Sequence, residues 1–215
     1  MATPTLGPPA EWTVADLLAR FGPILACRVR LDPAPGTASE DDVVAIHDRE
    51  NRLYELVDGV LLEKTMGYYE SFLAIRIATL LSNFVDPRKL GIVAGADGML
   101  RLAAGLVRIP DVSFISWDRL PGRRVPREPI PRLAPNLAIE VLSKSNTRQE
   151  MADKLVDYFT AGFQLVWYVD PDARTVTVYS SPEQFRTLGE NELLDGGDVL
   201  PGFSVKVADV FAEGE

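Results

Sequence analysis

The run Leu137-Ala138-Ile139-Glu140-Val141-Leu142 constrains this chain most. All but one of its residues are apolar, the pattern of a strand covered on both faces of a sheet; the exception is a carboxylate. A charge inside such a run costs several kcal/mol unless it is paired or holds a cation. Glu140 therefore belongs to a buried polar site, or it is a strand-end residue exposed where the strand meets Ser143-Lys144-Ser145. A helix follows from Thr147 to Ala161, because Thr147-Arg148-Gln149-Glu150 fits a capping box and Gly162 a C-terminal stop. The apolar Leu165-Val166-Trp167-Tyr168-Val169 completes a strand-helix-strand unit, which predicts a parallel pair with a right-handed crossover.

The remaining elements are read from local signals. Residues 1–10 are Pro-rich and read as disordered, and Trp12 to Gly22 reads as a short helix capped by Thr13. Residues 28–42 read as loop, and Leu53 to Lys64 as a hairpin turning on Asp58-Gly59. Tyr69 to Val85 has a broad apolar face and reads as a helix ended by Pro87. Residues 91–94 and 99–102 read as strands joined through 95–98, Ile109 to Ile115 and Thr175 to Tyr179 as further strands, and the tail as short strands and turns. This order predicts an α/β (α+β) fold, a mixed central sheet flanked by helices. The chain is read as an N-terminal extension with a short helix (1–45) followed by the main domain (46–215).

Composition excludes several chemistries. One histidine, His47, leaves no His-based triad and no multi-His metal site, and one cysteine, Cys27, leaves no Cys-rich zinc site. A net charge of −9 weighs against coating DNA non-specifically, though not against a local basic patch beside acidic ligands. No apolar run approaches a membrane span and the N-terminus lacks a secretory pattern, so the expectation is a cytoplasmic protein with no membrane partner.

Two more residues join Glu140. Asp111 opens the strand Val112-Ser113-Phe114-Ile115, where it is a metal ligand or a common strand-start aspartate. Lys154 stands on the shoulder of the apolar stripe Met151, Leu155, Phe159, where its stem reaches toward the sheet or its ammonium stays in solvent. Two carboxylates on neighbouring strands can hold Mg²⁺, which polarises a phosphodiester and acidifies water, and a nearby lysine stabilises the developing charge. The loop from Arg119 to Arg132 carries Arg119, Arg123, Arg124, Arg127 and Arg132 against one acid, Glu128. It reads as a DNA-backbone clamp beside the site or as a solvated loop.

The blocks Tyr54-Glu55-Leu56-Val57-Asp58-Gly59, Arg108-Ile109-Pro110-Asp111-Val112, Pro135 to Ser143, Lys154-Leu155-Val156-Asp157-Tyr158 and Ala161 to Pro171 resemble the Uma-type restriction endonuclease family of the PD-(D/E)XK nuclease superfamily. The resemblance covers roughly residues 45–210 with the blocks in order. It implies a restriction-endonuclease-like core and a Mg²⁺-dependent endodeoxyribonuclease (Mn²⁺ substituting) acting on DNA as a homodimer. It also implies Asp111 and Glu140 as metal-binding acids. The superfamily's Glu-x-Lys would place its lysine at 142, where this chain has Leu142. The resemblance thus implies that the lysine has moved to Lys154, with Lys144 as the competitor. Glu70, at the start of the first long helix, is the candidate further metal ligand, or an acid favoured there by the helix dipole. Glu55 and Glu63, on the hairpin, are weaker candidates. The alternatives are a catalytically inactive member kept as a nucleic-acid-binding or dimerisation module, and an α/β domain whose acids are structural.

Overall fold

The computed structural model describes residues 12–213; segment 1–10, expected to be disordered, lies outside them. Helix α1 (Val14–Phe21) starts on a Thr13–Asp16 capping box and stops at Gly22, where φ is 70°. Helix α2 (Glu40–Glu50) cuts short the loop expected to reach residue 42. Only Val43 and Ile46 of it are buried, so apolar periodicity does not announce it, and a second capping box, Ser39 with Asp42, starts it. Strands β1 (Tyr54–Val57) and β2 (Val60–Glu63) form the hairpin. Asp58 and Gly59 turn it at φ 51° and 74°, as a two-residue Asp-Gly turn requires. Helix α3 (Tyr68–Arg88) runs through Pro87 rather than stopping before it. The proline sits in the last turn, and the N–H of Lys89 closes that turn on the carbonyls of Val85 and Asp86.

The chain continues through β3 (Gly91–Ala94), β4 (Leu100–Ala103), β5 (Leu106–Arg108), β6 (Val112–Ser116) and β7 (Leu137–Val141). Helix α4 (Arg148–Ala161), β8 (Leu165–Asp170), β9 (Thr175–Tyr179) and β10 (Phe185–Leu188) follow, then β11 (Leu193–Gly196), β12 (Leu200–Lys206) and α5 (Val207–Val210). A four-stranded sheet has the order β2-β1-β5-β4, a six-stranded sheet the order β10-β9-β8-β7-β6-β3, and β11 pairs with β12. The pair β7–β8 is parallel, as predicted for strands joined by α4. Strands β3 and β4, joined through 95–98, lie in different sheets, β3 paired with β6 and β4 with β5. One expectation is corrected. The strand expected over 109–115 is broken, because residues 109–111 carry the chain from the four-stranded sheet into the six-stranded one.

Alternation along the central strands decides which side chains meet which helix. Leu137, Ile139 and Val141 enter the core beneath α3 with Leu73, Ile77 and Leu81. Ala138 faces the other way, with Met151, Leu155 and Tyr158 of α4. Glu140 shares the parity of Ala138 and so points under α4. Helix α4 buries Glu150, Met151, Lys154, Leu155 and Tyr158, while Phe159 is half-buried. Lys154 therefore lies within the buried face and not on its shoulder. Residues 12–30 pack on the hairpin, with Leu17, Phe21, Ile24 and Val29 against Val57, Val60 and Leu62. No helix among the described residues is long and apolar enough to cross a membrane.

Candidate functional site

The segment where the chain changes sheets builds the site. Val112 pairs with Ile139, and the same antiparallel register carried one step back sets Asp111 opposite Glu140, on the α4 side. Asp111 Oδ2 accepts a hydrogen bond from the N–H of Val141 at 2.6 Å, which fixes the carboxylate. Its Oδ1 lies 2.8 Å from Lys64 Nζ, and that ammonium also donates to the carbonyl of Ile109. Glu140 Oε2 lies 3.3 Å from Lys154 Nζ, and Tyr158 donates its hydroxyl to Glu140 Oε1. Lys154 bridges onward to Glu55 Oε1 at 3.0 Å. Glu55 is held in turn by the N–H of Ile109 at 3.1 Å and by Arg108 at 2.8 Å, and Arg108 reaches Asp157 at 2.6 Å. Glu150 receives both arms of Arg28, at 2.7 and 2.9 Å. Spaced by four residues, Glu150, Lys154 and Tyr158 form one polar ridge on α4 aimed at the sheet.

Five carboxylates (Glu55, Asp111, Glu140, Glu150, Asp157) thus meet four cations (Arg28, Lys64, Arg108, Lys154). Burial pushes Glu55 up, but Lys154, Arg108 and Lys64 outweigh it and hold the carboxyl at about 2. Burial also pushes Glu140 up, and the balance stays up, because Asp111 and Glu55 stand nearby while Lys154 and Lys64 only partly oppose them. The opposite directions follow from the company each keeps: Glu55 has an arginine of its own, and Glu140 has a facing carboxylate. Burial disfavours the charged form of Lys154, yet Glu140, Glu55 and Glu150 raise it overall, so the ammonium stays charged. Tyr158 is raised well above the ordinary phenol by burial and by Glu140, so it remains an O–H donor.

Glu55, Lys64, Glu70, Asp111, Glu140 and Lys154 line a cavity of about 20 Å³, room for a single water-sized occupant. Among the described residues no three or more His, Cys, Asp or Glu side chains are gathered as a complete metal cage. Two carboxylates suffice for Mg²⁺, a hard cation that binds through one or two of them and keeps several waters. The donor set at Asp111 and Glu140, all oxygen, suits that ion, and the Lys64 ammonium on Asp111 already marks the spot as a cation position.

The structure brings Asp111, Glu140 and Lys154 together from β6's entry, β7 and α4, and places Glu70, in the first turn of α3, on the same cavity. Lys144 is exposed in its loop and Leu142 half-buried. The arginine loop is not beside the cavity. It joins the far ends of β6 and β7, and the five steps from Asp111 to Ser116 span about 16 Å. Arg119 is committed to the carbonyls of Ala134, Pro135 and Gly162, and so staples the loop. Arg123, Arg124 and Arg127 are exposed. Glu55 stands nearer the centre of the site than its place on the hairpin suggests, and Lys64, Arg108 and Tyr158 join it without having been candidates. Glu55 carried the same signal as Glu140, a carboxylate within an apolar strand, and the spacing of Glu150, Lys154 and Tyr158 carried another.

Comparison with known proteins adds two findings. The model of a family described as "Uma2: Putative restriction endonuclease" matches residues 40–208. Among solved structures the chain is similar to that of a putative nuclease belonging to DUF820 from Anabaena variabilis. The TM-score is 0.66 at 21% identity, covering 74% of this chain and 89% of that one, a likeness that shows a shared fold. No curated protein matches the chain.

Proposed function

The chain belongs to the Uma2 family of putative restriction endonucleases and has the restriction-endonuclease-like fold, and from that premise we propose that it is a Mg²⁺-dependent endonuclease hydrolysing phosphodiester bonds in DNA. Family membership supports the coarser statement, a nuclease acting on phosphodiester bonds. The observation that carries the finer one is the convergence of Asp111, Glu140 and Lys154, from three separate elements, on one cavity. Asp111 and Glu140 would hold the divalent cation, and Glu70, the further ligand expected from the sequence, lines the same cavity without being gathered with them. The chemistry supplied there, once the ion is bound, is polarisation of the phosphodiester and acidification of water.

The chain's own residues do the positioning. Val141 and Tyr158 fix the two ligand carboxylates by hydrogen bonds. Glu55 and Glu140 hold Lys154 in its charged form beside them, where it stabilises negative charge gathering on phosphorus oxygens. Arg108 anchors Glu55 from behind. Arg123, Arg124 and Arg127, at the far ends of the strands, meet only the flanks of a bound duplex. Cutting both strands at one locus commonly takes two such sites, which supports a homodimer as the acting form.

Supercoiled plasmid incubated with purified protein and Mg²⁺ or Mn²⁺ tests this reading. The wild type nicks or linearises it, while Asp111→Asn, Glu140→Gln and Lys154→Met, each shown to be folded by circular dichroism, do not. A wild type without cleavage in either metal, or an Asp111→Asn variant that cuts at the wild-type rate, overturns it.

A further inference from the structure

We propose that Lys64 is a built-in counterion that holds the cation position on Asp111 and is exchanged for the divalent ion when the site loads. The inference rests on the metal-dependent reading above and concerns how the site gains its metal. Asp111 has one oxygen committed to the N–H of Val141, so Oδ1 is the oxygen left for a cation. Lys64 Nζ is on that oxygen at 2.8 Å, with its side chain only 8% exposed. Of the cluster's cations it is the one whose ion pairing rests on a single contact to a single carboxylate. Arg28 makes four hydrogen bonds and Arg108 three, and Lys154 bridges two carboxylates. Lys64 makes one ion pair and one bond to a carbonyl. It is the first residue after β2, its N–H still bonded to the carbonyl of Leu53, and it opens the irregular segment 64–67 that leads to α3.

Charge points the same way. With Lys64 in place the cluster carries one carboxylate more than its cations, and with Lys64 withdrawn it carries two. The withdrawn state thus matches a divalent ion, and the state with Lys64 in place nearly neutralises itself. Metal affinity should therefore be set in part by the work of expelling a partly buried ammonium from its carboxylate.

Isothermal titration of Mg²⁺ and of Mn²⁺ into wild type, Lys64→Met and Lys64→Arg reads this directly. Lys64→Met is expected to bind about tenfold more tightly, equivalent to about 1.4 kcal/mol, and Lys64→Arg, which keeps the charge, no more tightly than wild type. A second measurement uses the unaltered protein. Acetylation by an N-hydroxysuccinimide ester, mapped by mass spectrometry, should rise at Lys64 on saturation with Mg²⁺ while Lys154 stays protected. Metal binding by the wild type with no tightening in Lys64→Met overturns this inference alone. If Lys64→Met does not fold, unchanged labelling of Lys64 with metal overturns it. A wild type that binds neither metal removes the nuclease reading and this inference with it.

Discussion

Replacing Lys154 with methionine removes the charge shared by Glu55 and Glu140 while keeping most of the side chain's length. Lys154 is 4% exposed and lies 3.0 Å and 3.3 Å from the two carboxylates. Removing one partner of a buried ion pair costs about 3–5 kcal/mol, because the other is left uncompensated. The lower end applies here, since Arg108 and the N–H of Ile109 still hold Glu55 and Glu140 can take up a proton. A loss of about 3 kcal/mol lowers the melting temperature of a domain this size by roughly 6–12 °C. The pH dependence is more diagnostic. Glu140 is raised in the folded protein by burial, against the opposing charge of Lys154; without that lysine it is raised further. A folded-state pKa above the unfolded value makes a stabilising contribution that is full below the unfolded value and lost as pH rises through the folded one. The gap between wild type and Lys154→Met should therefore narrow as pH falls toward the ordinary carboxylate value of 4.5. Thermal melts of both proteins as pH falls measure it. A gap that stays constant, or no gap at all, would refute the pairing of Lys154 with Glu140.

Other consequences are as specific. Arg108→Met removes the cation on Asp157 and one of the two on Glu55, paired at 2.6 and 2.8 Å; Glu55 keeps Lys154 and the Ile109 N–H, so urea unfolding should show a loss at the lower end, about 3 kcal/mol. Glu55 is held at about 2 against an ordinary 4.5. Its stabilising contribution is present above the ordinary value and lost as pH falls through the depressed one, so Glu55→Gln should flatten the acid limb of the urea midpoint between 4.5 and about 2. Changing Arg123, Arg124 and Arg127 together to alanine should reduce the slope of log K against log salt for duplex DNA by about 2–3. Cleavage at saturating DNA should be unchanged, since the three sit at the strand ends away from Asp111 and Glu140.

Much of this was readable from local chemistry. The N-cap at Thr13, the capping box at Thr147, the Asp58-Gly59 turn and the apolar strands around Glu140 are short-range signals, and the elements they mark are where they predict. Asp111, Glu140 and Lys154 could be singled out because each is a charge beside or within an apolar pattern. What stayed hidden depends on distant partners. Nothing in Ile109-Pro110-Asp111 says that the chain changes sheets there, yet that crossing brings Glu55 to the N–H of Ile109 and Lys64 to Asp111. The separation of β3 from β4 is likewise decided by β5 and β6, which come later. Lys154 was misplaced onto a shoulder because apolar periodicity counts only apolar residues. The inward face of α4 is half polar, and its ridge of Glu150, Lys154 and Tyr158 is satisfied only by Arg28, Glu55 and Glu140 from elsewhere in the chain.

The central claim is that Asp111 and Glu140 form a cation site beside Lys154. Diffraction from crystals soaked in Mn²⁺, recorded for its anomalous signal, tests it most directly. One strong peak is predicted within about 2.0–2.4 Å of oxygens of both Asp111 and Glu140, absent from soaked crystals of Asp111→Asn. A soaked wild type with no peak there, or a peak that survives in Asp111→Asn, would contradict it.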